Sequence, residues 1–167
     1  MAKMKRLAAG IGCRNGMAVK LTEGHPSTEQ PFLSYALECN DTGADALLVL
    51  DLAESDQEHE KNIGQIKEAG RLLDIPIVAG GYIKRLEDIK KYLYAGARSV
   101  FLHAGDPVHV GLLKEAADRF GREKIHMLIT GSEQLKGVPE FFELGASRMI
   151  LDLDAARIRR SGCMEPW

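Results

Sequence analysis

GADALLVLDL at residues 43–52, GARSVFLHA at residues 96–104 and GASRMILDL at residues 145–153 are three copies of one pattern. Each begins with Gly-Ala, passes one or two polar residues and enters a short apolar run. Glycine just past a helix adopts the left-handed cap conformation at little cost. A short, β-branched apolar run then suits a strand covered on both faces, as in a parallel sheet. The copies recur about 50 residues apart, whereas one strand–helix–strand crossover takes roughly 30 residues, so each interval holds two βα units.

The intervening strands are visible as IPIVAGG at residues 75–81 and KIHMLIT at residues 124–130. They follow Gly70-Arg71 and Gly121-Arg122 respectively. Between strands, apolar residues fall at helical spacing. Helices are expected over 31–37, 59–73, 86–93, 108–120 and 138–144, the first opening on Pro31. With a first strand near residues 7–11, the chain alternates about six strands with helices. The expected class is α/β, with a mainly parallel sheet of about five to six strands. At 167 residues the chain is short of the ~200 that a closed (βα)₈ barrel needs. Either a partial TIM-barrel-type or a flavodoxin-like arrangement fits. Residues 1–153 are expected to form the βα domain, and residues 154–167 an exit linker towards a downstream domain.

Composition narrows the function. A net charge of −2 gives no field that would gather nucleic acid or a membrane surface. No apolar run approaches the ~18 residues of a membrane span, and no apolar signal core follows the basic start MAKMKR. Cys13, Cys39 and Cys163 are odd in number and far apart, as expected of reduced thiols in the cytoplasm. They make no CxxC pair, and no His has an acidic or Cys partner at ligand spacing, so neither metal nor cofactor is expected.

GADALLVLDL, followed by IPIVAGGYIKRLEDIKKYLYAGARSVFLH, resembles the N-terminal half of the histidine-biosynthesis barrels. These are the cyclase subunit of imidazole glycerol phosphate synthase and the related phosphoribosylformimino isomerase. KRLAAGIGCRNGMAVKL is similar to their first strand and hairpin, and the resemblance runs from about Lys5 to Thr130. The IKRLEDIKK run and the Pro-Trp exit look most like a barrel-type N-terminal extension of fused phosphoribosyl-AMP cyclohydrolase/phosphoribosyl-ATP pyrophosphatases. The resemblance implies two aspartates, ending strands 1 and 5, as general acid and base. Here those positions are Gly12 and Thr130. Glycine moves no proton and threonine is too weak an acid, so the pair is missing and no catalytic residue is assigned.

Lys20 and Asp51 are retained from the family pattern and form a candidate polar site. Asp51 closes its strand at the end where such folds bind ligands, although a strand-end Asp also serves as a cap. Gly80 and Gly81, with Lys84 and the strand-end His103, form a candidate phosphate site. Amides at a strand-to-helix turn can cradle an anion. The same glycines also suit a tight turn with no ligand, and the resembling barrels have a third glycine where this chain has Tyr82. The expectation is a non-catalytic or vestigial barrel-like domain: structural, dimerising or sensing a phosphorylated small molecule. It would act as a homodimer or against a covalently linked downstream domain. The alternative is a reduced isomerase or cyclase acting on a phosphoribosyl-aminoimidazole compound.

Overall fold

A computed structural model describes residues 6–19 and 30–152. Lys20 and the expected exit linker lie outside the described residues. Seven strands and five α-helices alternate among the described residues: β1 (Ala8–Arg14), β2 (Met17–Val19), α1 (Phe32–Asp41), β3 (Ala46–Asp51), α2 (Asp56–Leu72), β4 (Ile77–Gly80), α3 (Leu86–Tyr94), β5 (Ser99–His103), α4 (Pro107–Phe120), β6 (Ile125–Ile129), α5 (Val138–Leu144) and β7 (Arg148–Leu151). The chain divides into two compact units, Met1–Tyr82 with Glu87–Val100, and Ile83–Leu86 with Phe101–Trp167.

In the first unit, β1 pairs antiparallel with β2 and parallel with β3, and β3 pairs parallel with β4. The hairpin turns on Asn15 and Gly16, both with positive φ (50° and 78°), as a two-residue primed turn requires. The parallel strands follow chain order, β1-β3-β4, so each crossover moves the same way. A flavodoxin-like sheet reverses direction after its first crossover, so this order fits a partial barrel and not a flavodoxin-like sheet. In the second unit, β6 pairs parallel with β7, from His126 opposite Arg148 to Ile129 opposite Leu151.

The repeat has its expected cause. Gly43, Gly96 and Gly145 take φ of 92°, 108° and 120°, so each leaves its helix through the region that L side chains avoid. The two Gly-Arg steps differ. Gly121, at φ 102°, caps α4, whereas Gly70 lies within α2, where an added Cβ would meet the Ala95 carbonyl at 3.4 Å, an ordinary contact.

Pattern fixes the core. Along β3, burial alternates, so Leu47, Val49 and Asp51 share the inward face. The stripe of α2 that packs inward is His59, Asn62, Ile66 and Ala69. These are helical spacings of three, four and three, and the stripe begins with two polar residues. Helix α3 buries Asp88, Ile89 and Tyr92. Within the charged run EDIKK, Asp88 turns in with Ile89.

Candidate functional site

Asp51 is carried inside by the alternation that buries Leu47 and Val49, so its carboxylate must find its partners there. It does, with four donors. Oδ2 accepts from His59 Nδ1 at 2.6 Å and from the Tyr92 hydroxyl at 2.7 Å. Oδ1 accepts from Asn62 Nδ2 at 2.6 Å and from the Ala53 amide at 3.0 Å. A carboxylate can only accept, so Nδ1 of His59 carries its proton.

The network extends on both sides. Asn62 Nδ2 also reaches the Cys13 carbonyl at 3.1 Å, and its Oδ1 accepts from the Cys13 thiol at 3.4 Å. Cys13 lies opposite Asp51 in the β1–β3 register. It is fully buried. Burial first, and the Asp51 charge second, push its thiol up to about 12, against a smaller opposing pull from the Gly16 backbone. The Tyr92 hydroxyl accepts from the Tyr82 amide at 3.2 Å. Burial pushes the Tyr92 phenol well above its usual value, and the charge of Asp51 adds to that. Tyr82 folds back over His59, with ring centroids 4.6 Å apart, and donates to Asp56 Oδ1 at 2.6 Å. His59 Nε2 faces Asp88 Oδ1 at 3.6 Å and is the only buried side-chain polar atom without a hydrogen bond among the described residues.

The candidate phosphate turn is drawn into the same cluster. Gly81 has φ 115°, and a Cβ there would lie 2.6 Å from the Asp51 carbonyl oxygen and 3.0 Å from its amide nitrogen. Its glycine is therefore required by close approach to the end of β3. Tyr82 occupies the place of the resembling barrels' third glycine, and its amide is already engaged by Tyr92. Gly80 is buried at the end of β4. Asp51, Gly80 and Gly81 thus come together within the first unit, while Lys84 and His103 belong to the second. Lys84 is exposed.

At Gly12, where the resemblance expects a proton-transferring aspartate, a Cβ would lie 2.7 Å from Leu52 Cδ1, 3.1 Å from the Val19 carbonyl and 3.2 Å from Val19 Cβ. A Cβ there would crowd the tip of Leu52 and the Val19 backbone and side chain, and glycine itself supplies no carboxylate. In the second unit, the amide of Thr130 donates to Gln134 Oε1 at 3.0 Å. His103, half-buried at the end of β5, accepts from the Gly105 amide at 3.3 Å through Nδ1. Its own amide donates to Nδ1 of the buried His109 at 2.9 Å. His126 is a satisfied sheet residue, with Nδ1 2.9 Å from the Ser147 hydroxyl. Among the described residues, no three His, Cys, Asp or Glu side chains converge as metal ligands.

His59, Asn62, Tyr92 and Asp88 are the residues sequence reasoning missed. Their signal was present as polar residues on the inward stripes of α2 and α3.

A parallel βα chain with strands in chain order, and with its polar residues gathered at the C-terminal end of β3, defines a barrel-type protein. The sequence profile of the family described as "Histidine biosynthesis protein" matches residues 6–138, and the chain belongs to that family. Among curated proteins it is 32% identical over 127 residues to the imidazole glycerol phosphate synthase subunit HisF of Staphylococcus saprophyticus, covering 75% of this chain and 50% of that one. It is 35% identical over 97 residues to the same subunit of Staphylococcus epidermidis, covering 58% of this chain and 38% of that one. The Staphylococcus aureus subunit matches at 32% over 127 residues, with coverage of 75% and 50%. The chain spans at most about half the length of these relatives.

Proposed function

We propose that this chain is a barrel-type module of a histidine-biosynthesis protein that performs no cyclase or isomerase chemistry of its own. The observation that supports the reading is Gly12 itself: no side chain stands at the place of the expected aspartate, and an added Cβ would crowd Leu52 and Val19. The retained Asp51 supports it: all four of its hydrogen-bond partners are internal, and the residue is only 4% exposed. A carboxylate so engaged holds strands and helices together and has no lone pair directed at a substrate. The role proposed is a scaffold in the cytoplasm, acting as a homodimer or against a linked domain. The resemblance to the extension of fused phosphoribosyl-AMP cyclohydrolase/phosphoribosyl-ATP pyrophosphatases makes such a hydrolase the partner proposed. Phosphate binding at Gly80 and Gly81 is the ligand-sensing form of this role. It is the less favoured form, because the Tyr82 amide beside the turn is engaged by Tyr92.

A second reading is a reduced cyclase or isomerase acting on a phosphoribosyl-aminoimidazole compound. Identity of 32–35% to cyclase-type subunits favours it. Assaying the purified chain for turnover of such compounds separates the two. The expected result is no product above the uncatalysed rate, with or without Asp51→Asn. Multiple turnovers by the parent chain, lost in Asp51→Asn, would overturn the scaffold reading.

A further inference from the structure

We infer that His109 is a proton-operated latch on the loop after β5, holding the His103 amide while its ring is neutral and releasing it when protonated. A backbone N–H can only donate, so the 2.9 Å contact from the His103 amide fixes Nδ1 of His109 as an unprotonated acceptor. The ring's proton is then on Nε2. That nitrogen lies 3.6 Å from Asp106 Oδ2. The ring is buried at the head of α4, one turn after Asp106, whose carboxylate caps the helix by accepting from the Val108 amide at 2.9 Å. The loop itself is short and tied at both ends. Ala104 donates to the Leu128 carbonyl at 2.9 Å, and Asp106 donates to the His103 carbonyl at 3.1 Å.

A second proton on His109 can go only to Nδ1. There it would confront the His103 N–H, turning a hydrogen bond into a contact between two donors inside the protein. The loop must move or the proton must stay off. Burial is the largest influence and keeps the proton off, holding His109 below the ordinary histidine range, and neighbouring His103 adds to that. The Asp106 carboxylate and the Ile83 backbone pull the other way. These are the groups that face the ring: Asp106 from the cap of α4, His103 from the end of β5, and the Ile83 backbone. Because the folded value is depressed, the latch is closed above the unfolded histidine value of about 6.5 and opens as pH falls below it. His103 lies at the C-terminal end of β5, so the latch acts on the one histidine that ends a strand among the described residues.

The test is amide exchange and histidine titration by NMR on the full chain from pH 7.5 to 5. The His103 amide should lose about tenfold of its protection as His109 titrates, the weight of one hydrogen bond. In His109→Gln, whose side-chain oxygen can still accept, that step should vanish. Should that variant not fold, Asp106→Asn, which retains helix capping, should move the step to lower pH. A His103 protection factor that is flat across the range would overturn the latch. So would a step that survives in His109→Gln or fails to move in Asp106→Asn.

Discussion

The Tyr92 hydroxyl donates to Asp51 Oδ2 at 2.7 Å, linking helix α3 to the end of β3 across 41 residues of sequence. The Tyr92 hydroxyl oxygen also accepts from the Tyr82 amide, so one phenol connects a helix, a strand end and a turn. Removing the hydroxyl leaves both the carboxylate and the amide short of a partner in a buried site. Tyr92→Phe is therefore expected to lose about 2–3 kcal/mol, the range for hydrogen bonds to charged groups with an orphaned buried donor. Urea unfolding monitored by circular dichroism measures it. A loss under about 0.5 kcal/mol, the range of ordinary surface changes, would show that the network does not hold this unit together.

Most of the fold was legible because its signals are local. Glycine before each apolar run, and helical spacing between runs, recovered α5 at its observed bounds and the neighbouring helices to within a few residues. The hairpin strand β2 falls within the stretch that resembled the family's first strand and hairpin. The candidate site was less legible. Asp51 stood out because it closes an apolar strand, but its partners lie on other elements. Over residues 59–73 the apolar residues Ile63, Ile66, Leu72 and Leu73 suggest one inward stripe, yet Leu72 is 52% exposed and the buried stripe of α2 starts at His59 and Asn62. Two polar residues on an inward face look like a break in the pattern until the buried carboxylate that they satisfy is known. Likewise, nothing in the sequence alone shows that Leu52 covers Gly12, because that contact depends on the outward-turned residue after β3.

Gly81 separates a required turn from a ligand cradle. Its φ of 115° and the 2.6 Å approach to the Asp51 carbonyl both oppose any side chain. Gly81→Ala should cost about 2–4 kcal/mol, combining backbone strain with a clash against rigid backbone. Thermal unfolding provides the comparison. Gly64, at an exposed position of α2 where an added Cβ meets nothing, is the control: Gly64→Ala should be neutral or stabilising by up to about 1 kcal/mol. Equal effects at the two positions would show that Gly81 is not fixed by this approach.

Cys13 should be chemically silent in the folded protein. The thiolate is the reactive form, and a thiol pushed up to about 12 has almost none of it at neutral pH. The side chain is also fully buried against Asn62. Treatment with a thiol reagent at pH 8, followed by peptide mass mapping, should leave Cys13 unmodified until denaturant is added. Labelling of Cys13 at the rate of a free thiol under native conditions would mean that β1 opens readily from β3.

His126 sets a further pH dependence, and its sign follows from its surroundings. The Ser147 hydroxyl donates to the Ile125 carbonyl at 3.0 Å, so its oxygen accepts from Nδ1 of His126 at 2.9 Å. The neutral ring is thereby satisfied on that side. Burial first, then the charge of Arg148, hold this histidine below its ordinary range, against a smaller upward pull from the Ile125 backbone. The unfolded chain therefore binds the proton more readily than the folded one. Its contribution is fully present above about pH 6.5 and is lost as pH falls towards the folded value. Urea midpoints should drop between pH 7.5 and 5, with a slope of at most about 1.4 kcal/mol per pH unit from this group. His126→Gln keeps a donor for Ser147 but does not titrate, so it should flatten the slope, leaving the part due to His109. Adding His109→Gln should remove most of the rest. A slope unchanged in His126→Gln would mean that the proton enters elsewhere and that His126 is charged or exposed in the native state.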